Sequence, residues 1–227
     1  MELAPVVRDI YNASLVQGLI PSQLKQSIIS PLPKCSPPKD IKADLCPIAL
    51  TSQFAKVLKD LCADPRTITW SISLMISSSL WLVNQQHTRW SIPCIFILEG
   101  LDRGDMYARV LFTDFSKGFD LVDHHALLHE LEILGVHDCL IQWIKAFPCD
   151  RQQRVRIDGI LSPPISPRGG IPQGTRLAPL LFAVLVNRLA EDWSTRVKYV
   201  DDATLIELTP RNSPSYLPIV ASDISKF

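Results

Sequence analysis

Three carboxylates, Asp114, Asp201 and Asp202, have the residue type and surroundings to bind metal ions for phosphoryl transfer. Asp114 follows the apolar run 108–113, and the other two acids interrupt the apolar run 197–208. Adjacent like charges repel unless a cation neutralises them. Three carboxylates can hold two magnesium ions about 3.5–4 Å apart, where the ions clamp the attacking and leaving oxygens. The alternative is that Asp201 and Asp202 lie on an ordinary solvated turn.

The elements around these acids are predicted to place them at the ends of strands. Residues 108–113, ARVLFT, are typical of a buried strand, so Asp114 is expected where that strand ends. Residues 197–208 predict a hairpin that carries Asp201 and Asp202 at its tip. The fold must therefore bring a strand end and a hairpin tip together if the three acids share metal ions.

The rest of the chain carries further helix and strand signals. Asp123 can cap a helix, and Gly18 and Gly135 are positioned to end helices. Helices are predicted over 6–16, from a loop at Pro47 to Leu61, and over 123–134, 139–147 and 179–193; strands are predicted over 25–32 and 154–158. The first helix is indicated by apolar residues at helical spacing: Val6, Ile10, Ala13 and Leu15. The second is predicted to carry five apolar residues on one side: Leu50, Phe54, Val57, Leu58 and Leu61.

Composition supports a packed core and gives no basic excess. Hydrophobic residues make up 47% and charged residues 20% of the 227, while Lys plus Arg equals Asp plus Glu at 23 each. Nucleic-acid binders usually carry more positive charge, so composition alone argues against that class. The six cysteines form no C-x-x-C pair, which favours a reduced intracellular compartment and leaves nucleus or cytoplasm open.

One uncharged segment raises a membrane alternative. Residues 67–83, TITWSISLMISSSLWLV, contain no Asp, Glu, Lys or Arg and approach the length of a membrane span. Their serines and threonines make the segment only moderately apolar. A membrane-associated protein built on residues 67–98 is therefore kept as a rival, and no stable membrane association is expected.

Three linked motifs, in order, resemble the reverse transcriptase domain of non-LTR (LINE-type) retrotransposons. They are FTDFSKGFD at 112–120, GGIPQGT at 169–175 and YVDD at 199–202. Further similar stretches are LPK at 32–34, PIALT at 47–51, DHH at 123–125, WI at 143–144, RQQRV at 151–155 and LAPLLF at 177–182. The resemblance implies an α/β fingers-and-palm fold, with an antiparallel palm sheet backed by helices. It divides the chain into a partial fingers region, 1–100, and a palm, 101–227.

The resemblance also implies the activity and its substrates. We expect an RNA-directed DNA polymerase domain that uses two-metal nucleotidyl transfer, with two Mg²⁺ ions or Mn²⁺ in their place. Its partners would be an RNA template, a DNA primer and deoxynucleoside triphosphates. A non-catalytic retrotransposon relic, or a remnant that only binds nucleic acid, is the rival within the same fold.

The resemblance assigns roles to seven residues. Asp114, Asp201 and Asp202 would be the catalytic metal ligands. The substrate-binding residues would be Phe119 against the sugar, Gln173 and Gly174 near the nucleotide and template, and Lys34 on the triphosphate. The alternatives are a core position for Phe119, a turn for Gln173 and a solvated loop for Lys34.

Two other groups of residues have less specific patterns. His125 and His129 are four residues apart, a spacing that zinc sites use, but no third ligand accompanies them. Four arginines could line a groove for a nucleic-acid backbone, or could be ordinary solvated side chains. These arginines are Arg151, Arg154, Arg156 and Arg168.

The chain departs from the family pattern at several points. Cys46 stands where the family usually has a phosphate-binding arginine, and Gly118 where it usually has alanine. Residues 62–98 lack the expected glycine- and arginine-containing stretch, as a local shift of reading frame would explain. We also expect the last palm motif and the thumb to be missing beyond Phe227. The domain is therefore expected to be weak or inactive as it stands.

Overall fold

The computed structural model describes most of the 227 residues. The described ranges are 4–62, 91–102, 104–115, 117–167, 169–172, 177–193, 195–199 and 202–225. They divide into two compact units: the first takes the described residues up to 72 and from 117 to 181, and the second those from 73 to 116 and from 182 onward. The predicted boundary between fingers and palm at residue 100 stays a prediction.

The elements of the first unit are helices around one open sheet. In chain order they are α1 (Ala4–Gln17), a 3-10 turn (Ser22–Lys25), β1 (Gln26–Pro33), α2 (Ile41–Asp44), β2 (Leu45–Thr51), α3 (Gln53–Cys62), α5 (His124–Ile133), α6 (Asp138–Ala146), β4 (Gln152–Ile157) and β5 (Ile160–Leu161). The sheet has the order β2-β1-β4-β5, in which β1 is antiparallel to β2 and parallel to β4, and β4 is antiparallel to β5.

The second unit is built on a three-stranded antiparallel sheet. Its elements are α4 (Ser91–Leu101), β3 (Met106–Asp114), β6 (Arg196–Tyr199), β7 (Asp202–Pro210) and α8 (Leu217–Ile224). The strand order is β3-β7-β6, and α4 lies against β3 and β7. Helix α7 (Leu177–Leu185) gives its first residues to the first unit and its last ones to the second. The α/β class and the antiparallel sheet are confirmed.

A buried tryptophan fastens the helices of the first unit. Trp143 of α6 is fully buried, stacks on Phe147 at 6.2 Å between ring centroids, and donates from Nε1 to Ser14 Oγ at 3.1 Å. Leu127 and Leu131 of α5 are buried in the same unit. The helix predicted over 6–16 is confirmed as α1, which buries Tyr11 and Ser14 and leaves Val6 and Ile10 exposed.

Two predicted elements need correction. Residues 45–51 form a strand paired with β1, not a loop, and Leu50 therefore lies outside α3. This helix buries Ala55 and the predicted Leu58, and leaves Phe54 and Val57 exposed. The helix predicted over 179–193 ends at Leu185. The helix after Asp123 is confirmed: the Asp123 carboxylate accepts from the His125 and Ala126 amides at 2.7 and 3.2 Å.

A buried acid fixes the far end of β7. Glu207 is 6% exposed, and its carboxylate accepts from Ser215 Oγ and from the Tyr216 amide, each at 2.7 Å. Arg109 on β3 lies 3.6 Å from the same carboxylate and donates to Thr209. These bonds hold the segment that leads into α8.

Candidate active site

The pairing of β3 with β7 places two of the predicted acids directly opposite each other. Asp114, the last residue of β3, is the register partner of Asp202, the first residue of β7. Directly opposed residues of an antiparallel pair have Cα atoms about 4.5–5.5 Å apart and side chains on one face. Asp114 is exposed and Asp202 half-buried, so this end of the sheet presents two carboxylates that repel each other unless a cation lies between them.

The third predicted acid is in the short connection between β6 and β7. Tyr199 ends β6 and is paired with Asp202, so Val200 and Asp201 join the two strands. Asp201 lies outside the described residues, and its role as a metal ligand stays a prediction. Among the residues that are described, no group of three or more His, Cys, Asp or Glu side chains could hold a metal ion.

Packing beneath the sheet fixes the end of β3. The ring of Phe115, the residue after Asp114, meets the ring of Phe182 edge-on at 5.6 Å. Thr113 donates from Oγ1 to the Ala203 carbonyl at 3.0 Å, which ties the two strands together beside the acids. One ring contact and one hydrogen bond therefore hold the strand end that carries Asp114.

A buried lysine of β6 bonds this strand to the segment that follows α7 in the same unit. Lys198 is 2% exposed, and its ammonium donates to the carbonyls of Val186 and Asn187 at 2.8 and 2.7 Å. Burial and, to a smaller extent, the charge of Arg196 lower the pKa of Lys198 to about 7, while Glu191 opposes the shift. Sequence reasoning missed this residue, since a lysine in a strand is ordinarily exposed.

Phe119 lies in a turn that contacts the glycine motif within the first unit. The Ile171 amide donates to the Phe119 carbonyl at 2.6 Å, and the Gly170 amide donates to the Val122 carbonyl at 3.3 Å. Gly170 has φ +76°, and a Cβ there would lie 2.6 Å from the Asp120 carbonyl oxygen. Only glycine fits this approach, so the turn carrying Phe119 and the loop leading to Gln173 are held together.

Two side chains fasten the same loop. Arg151, 6% exposed, donates to the carbonyls of Gly169, Gly170 and Pro148 at 2.7, 3.1 and 3.0 Å. His124 Nε2 also lies 2.9 Å from the Gly170 carbonyl oxygen. Burial lowers the pKa of Arg151, and the Asp120 carboxylate opposes that shift. Arg151 is therefore a positioning residue, and its predicted place in a backbone-binding groove stays a prediction.

A cleft of 330 Å³ opens beside this loop, entirely within the first unit. Its volume lies at the lower end of the range for small-molecule sites. The lining residues come from β1, β2, β4 and the two loops: Ile29, Pro47, Ala49, Asp120, Arg151, Gln153, Pro167 and 169–172.

The remaining predicted residues are placed as follows. Lys34 is exposed just after β1, where its backbone amide donates to the Asp44 carbonyl at 2.7 Å. Gln173 and Gly174 lie outside the described residues, as does Arg168. Cys46 is exposed on β2. The roles of all these side chains stay predictions.

Over the part of the chain that is described, no helix combines the length and apolar character needed to cross a bilayer. The uncharged run 67–83 lies outside the described residues.

The sequence matches a family model and proteins of mobile elements. The model described as "Reverse transcriptase (RNA-dependent DNA polymerase)" matches residues 37–226. The probable RNA-directed DNA polymerase from transposon BS of Drosophila melanogaster is 27% identical over 77% of this chain and 19% of its own length. The RNA-directed DNA polymerase from mobile element jockey of Drosophila funebris is 28% identical over 87% of this chain and 23% of its own. The chain thus spans about a fifth of these curated relatives.

The fold also matches solved structures of telomerase from Candida Tropicalis. The apo enzyme truncated from its C-terminal domain superposes with a TM-score of 0.62 at 10% identity, covering 97% of this chain and 50% of that one. The complex with the TWJ fragment of telomeric RNA gives 0.58 at 10% identity, covering 97% and 41%. Because the sequences are only 10% identical, this similarity shows a shared fold alone.

Proposed function

The chain belongs to the reverse transcriptase (RNA-dependent DNA polymerase) family of non-LTR retrotransposons, and we propose that it extends a DNA primer along an RNA template. The observation that carries this proposal is the register pairing of Asp114 with Asp202 at one exposed sheet end. Deoxynucleoside triphosphates are the substrates, and the primer 3′-hydroxyl attacks the α-phosphate with loss of pyrophosphate.

The residues at this end of the sheet fit the divalent metal ions that the family generally uses. Carboxylate oxygens are the hard ligands that Mg²⁺ and Mn²⁺ prefer, and Asp114 and Asp202 present them from opposed strands. Asp201, next in the chain, would complete the set for two Mg²⁺ ions. These carboxylates would hold the ions, which would supply charge stabilisation for phosphoryl transfer.

Side chains of the first unit would bind and orient the nucleotide. Phe119 would lie under the sugar and exclude a 2′-hydroxyl, and Lys34 would contact the triphosphate. Gln173 and Gly174 would contact the nucleotide and template. The hydrogen bonds from Arg151 and His124 to the carbonyls of Gly169 and Gly170 support this role, because they fix the backbone that leads to Gln173.

The activity is expected to be weak. Cys46 gives no positive charge where the family usually has an arginine, so one bidentate contact to the triphosphate is lost. Poor positioning of the reacting groups can reduce a rate by orders of magnitude. Cys46→Arg should therefore raise extension, and only modestly.

Primer extension on an annealed RNA template tests the proposal. Asp114→Asn and Asp202→Asn should abolish the extension seen with the full chain and Mg²⁺, while Asp192→Asn, which alters an exposed acid away from the sheet end, should not. Mn²⁺ binding, measured by calorimetry, should weaken in the first two variants alone. Extension that survives both substitutions would refute the assignment; Mn²⁺ binding without any extension by either the parent or Cys46→Arg would support a non-catalytic relic.

A further inference from the structure

Two histidines on helix α5 take no part in the proposed polymerase reaction. His125 and His129 are four residues apart in this regular helix, and both side chains are exposed. Side chains four residues apart lie one above the other on a helix, with Cβ atoms about 5–6 Å apart. Two imidazoles at that separation can bind one metal ion together, as in zinc sites whose first two ligands share one helix.

The packing of α5 fixes the direction in which this pair points. Leu127 and Leu131 are buried at 1% and 0% exposure, and the helical repeat puts them on the side opposite to His125 and His129. The first turn is also held, because the Asp123 carboxylate accepts from the His125 amide at 2.7 Å. The two imidazoles therefore share a defined face of the helix that points to solvent.

A carboxylate on the same face lies beside one of the rings. Glu132 is exposed, and its Oε2 lies 4.0 Å from Nδ1 of His129. In metal sites, a carboxylate at one ring nitrogen orients the histidine and raises the basicity of the other nitrogen. A small rotation of the exposed Glu132 side chain brings it into hydrogen-bond range, and Nε2 of His129 is then the atom that can bind a metal.

The charge of α5 also favours a cation. The helix contains Glu130 and Glu132 but no Lys or Arg, and the acidic Asp123 comes directly before it. Negative charge attracts a cation, and no positive side chain of this helix repels one. The histidine pair thus lies in a part of the chain that is locally acidic, although the whole chain has no net charge.

We propose that His125 and His129 together bind one divalent transition metal ion of the kind that prefers imidazole, such as Zn²⁺ or Ni²⁺. The site has no ligand in common with Asp114 and Asp202. Among the described residues, no group of three His, Cys, Asp or Glu side chains could hold a metal ion, so water completes the coordination shell. Imidazole nitrogens select such ions over Mg²⁺, which prefers oxygen ligands.

The bound ion would stabilise a helix that also contacts the glycine motif. His124, the first residue of α5, has its Nε2 2.9 Å from the Gly170 carbonyl oxygen. A ligand that binds only the folded chain stabilises it by mass action. The ion is therefore expected to stabilise α5, and with this helix the contact to Gly170.

Calorimetry with Ni²⁺ as the probe tests the proposal without requiring catalysis. The full chain is titrated in excess Mg²⁺, which occupies sites made of oxygen ligands. His125→Gln and His129→Gln should each weaken Ni²⁺ binding by at least about tenfold, because the second ligand of a chelate acts at a high effective concentration. The thermal unfolding midpoint should rise with Ni²⁺ concentration in the parent and much less in either variant.

A variant of equal composition tests the spacing of the pair. His129→Gln/Ala126→His keeps the number of histidines and uses an exposed position, but places the two side by side in sequence. Adjacent residues do not face each other on a helix, so this variant should bind Ni²⁺ as weakly as His129→Gln. Glu132→Gln, which keeps both imidazoles, should weaken binding by less than about tenfold.

A control on the next helix tests the place of the site. His137 precedes α6, and its Nδ1 lies 3.2 Å from Cys139 Sγ, which makes these two side chains the rival pair for such an ion. His137→Asn removes this imidazole and keeps a side chain that can cap α6. The Ni²⁺ affinity of this variant should stay within about twofold of the parent, as expected for a surface substitution away from the site.

Several results would overturn the proposal. Equal Ni²⁺ affinity in the parent and His129→Gln would do so, as would parent-like affinity in His129→Gln/Ala126→His. A tenfold loss in His137→Asn would put the ion at His137 and Cys139 instead, and a parent that binds no Ni²⁺ would have no such site. The proposed polymerase function stands or falls separately, since it is tested through Asp114 and Asp202.

Discussion

The two sheets of the molecule use charged side chains in different ways. The four-stranded sheet keeps its two charges, Arg154 and Arg156, exposed and without partners in the described part of the chain. The three-stranded sheet buries Lys198 and Glu207, at 2% and 6% exposure, and each is bonded to backbone groups of a neighbouring segment. A buried, bonded charge belongs to the folded structure, whereas an exposed charge with free donors is available to a partner.

The same distinction applies to arginines close together in the chain. Arg151 is buried and bonded to three carbonyls, while Arg154, three residues later, is exposed on β4. Residue type therefore does not decide whether a charge holds the fold or contacts a ligand; the surroundings supplied by the fold decide it. Four substitutions test this comparison.

Glu207→Ala should have the largest effect on stability. It leaves the Tyr216 amide and Ser215 hydroxyl without their acceptor and removes the ion pair with Arg109, so we expect a loss of about 3 kcal/mol. Urea unfolding followed by circular dichroism measures it, with the exposed Glu191→Ala as control. A loss below about 0.5 kcal/mol, typical of a surface site, would place Glu207 with the exposed charges.

Arg151→Met should cost about 2 kcal/mol, because the carbonyls of Gly169, Gly170 and Pro148 lose their donor. Urea unfolding followed by circular dichroism measures this loss as well. Arg188→Met, which changes an exposed arginine, is the matched control. If both variants unfold at the same urea concentration, Arg151 does not fix the loop.

Lys198→Met should change the pH dependence of stability. With a folded pKa of about 7 against an ordinary value of 10.5, Lys198 is neutral in the fold and charged in the unfolded chain between these values. The unfolded chain then binds more protons, so the parent gains stability as pH rises through this window, by up to about 1.4 kcal/mol per pH unit.

Lys198→Met lacks this gain. The difference in unfolding free energy between the parent and Lys198→Met should therefore change with pH between about 7 and 10.5 and stay constant below pH 7. Urea unfolding at a series of pH values measures the difference. A difference that is constant up to pH 10 would show that Lys198 remains charged in the fold.

Arg154→Gln/Arg156→Gln should change the unfolding free energy by less than about 0.5 kcal/mol, as expected for exposed side chains without partners among the described residues. The thermal unfolding midpoint is the measurement. A clear loss of stability would show that these arginines hold the sheet.

Local patterns predicted the elements that carry the carboxylates. The apolar run before Asp114 is typical of a strand, and the interrupted run around Asp202 is typical of a hairpin. Strand β3 and the β6–β7 hairpin could therefore be predicted from the sequence. Their pairing did not follow from local pattern. Asp114 and Asp202 become neighbours only through the β3-β7 register, which the resemblance to a family implied.

The wrong predictions have nonlocal causes. Pro47 favours a loop in the sequence, yet it lies in β2, an edge strand, where a missing amide donor is tolerated. Helix α7 stops at Leu185, and the carbonyls of Val186 and Asn187 are bonded by Lys198 from a strand further along the chain. No periodicity within residues 177–193 contains that information.

Assembly of the three-stranded sheet takes time during synthesis. Thr113 and Ala203, bonded partners beside the carboxylates, are 90 residues apart in sequence. At about 5–20 residues per second, β3 leaves the ribosome roughly 5 to 18 seconds before β7 is complete. Until then β3 has an unpaired edge that includes Val110 and Phe112, which invites pairing with other nascent chains. A chain interrupted before residue 202 never closes this edge, so incomplete copies are expected to aggregate.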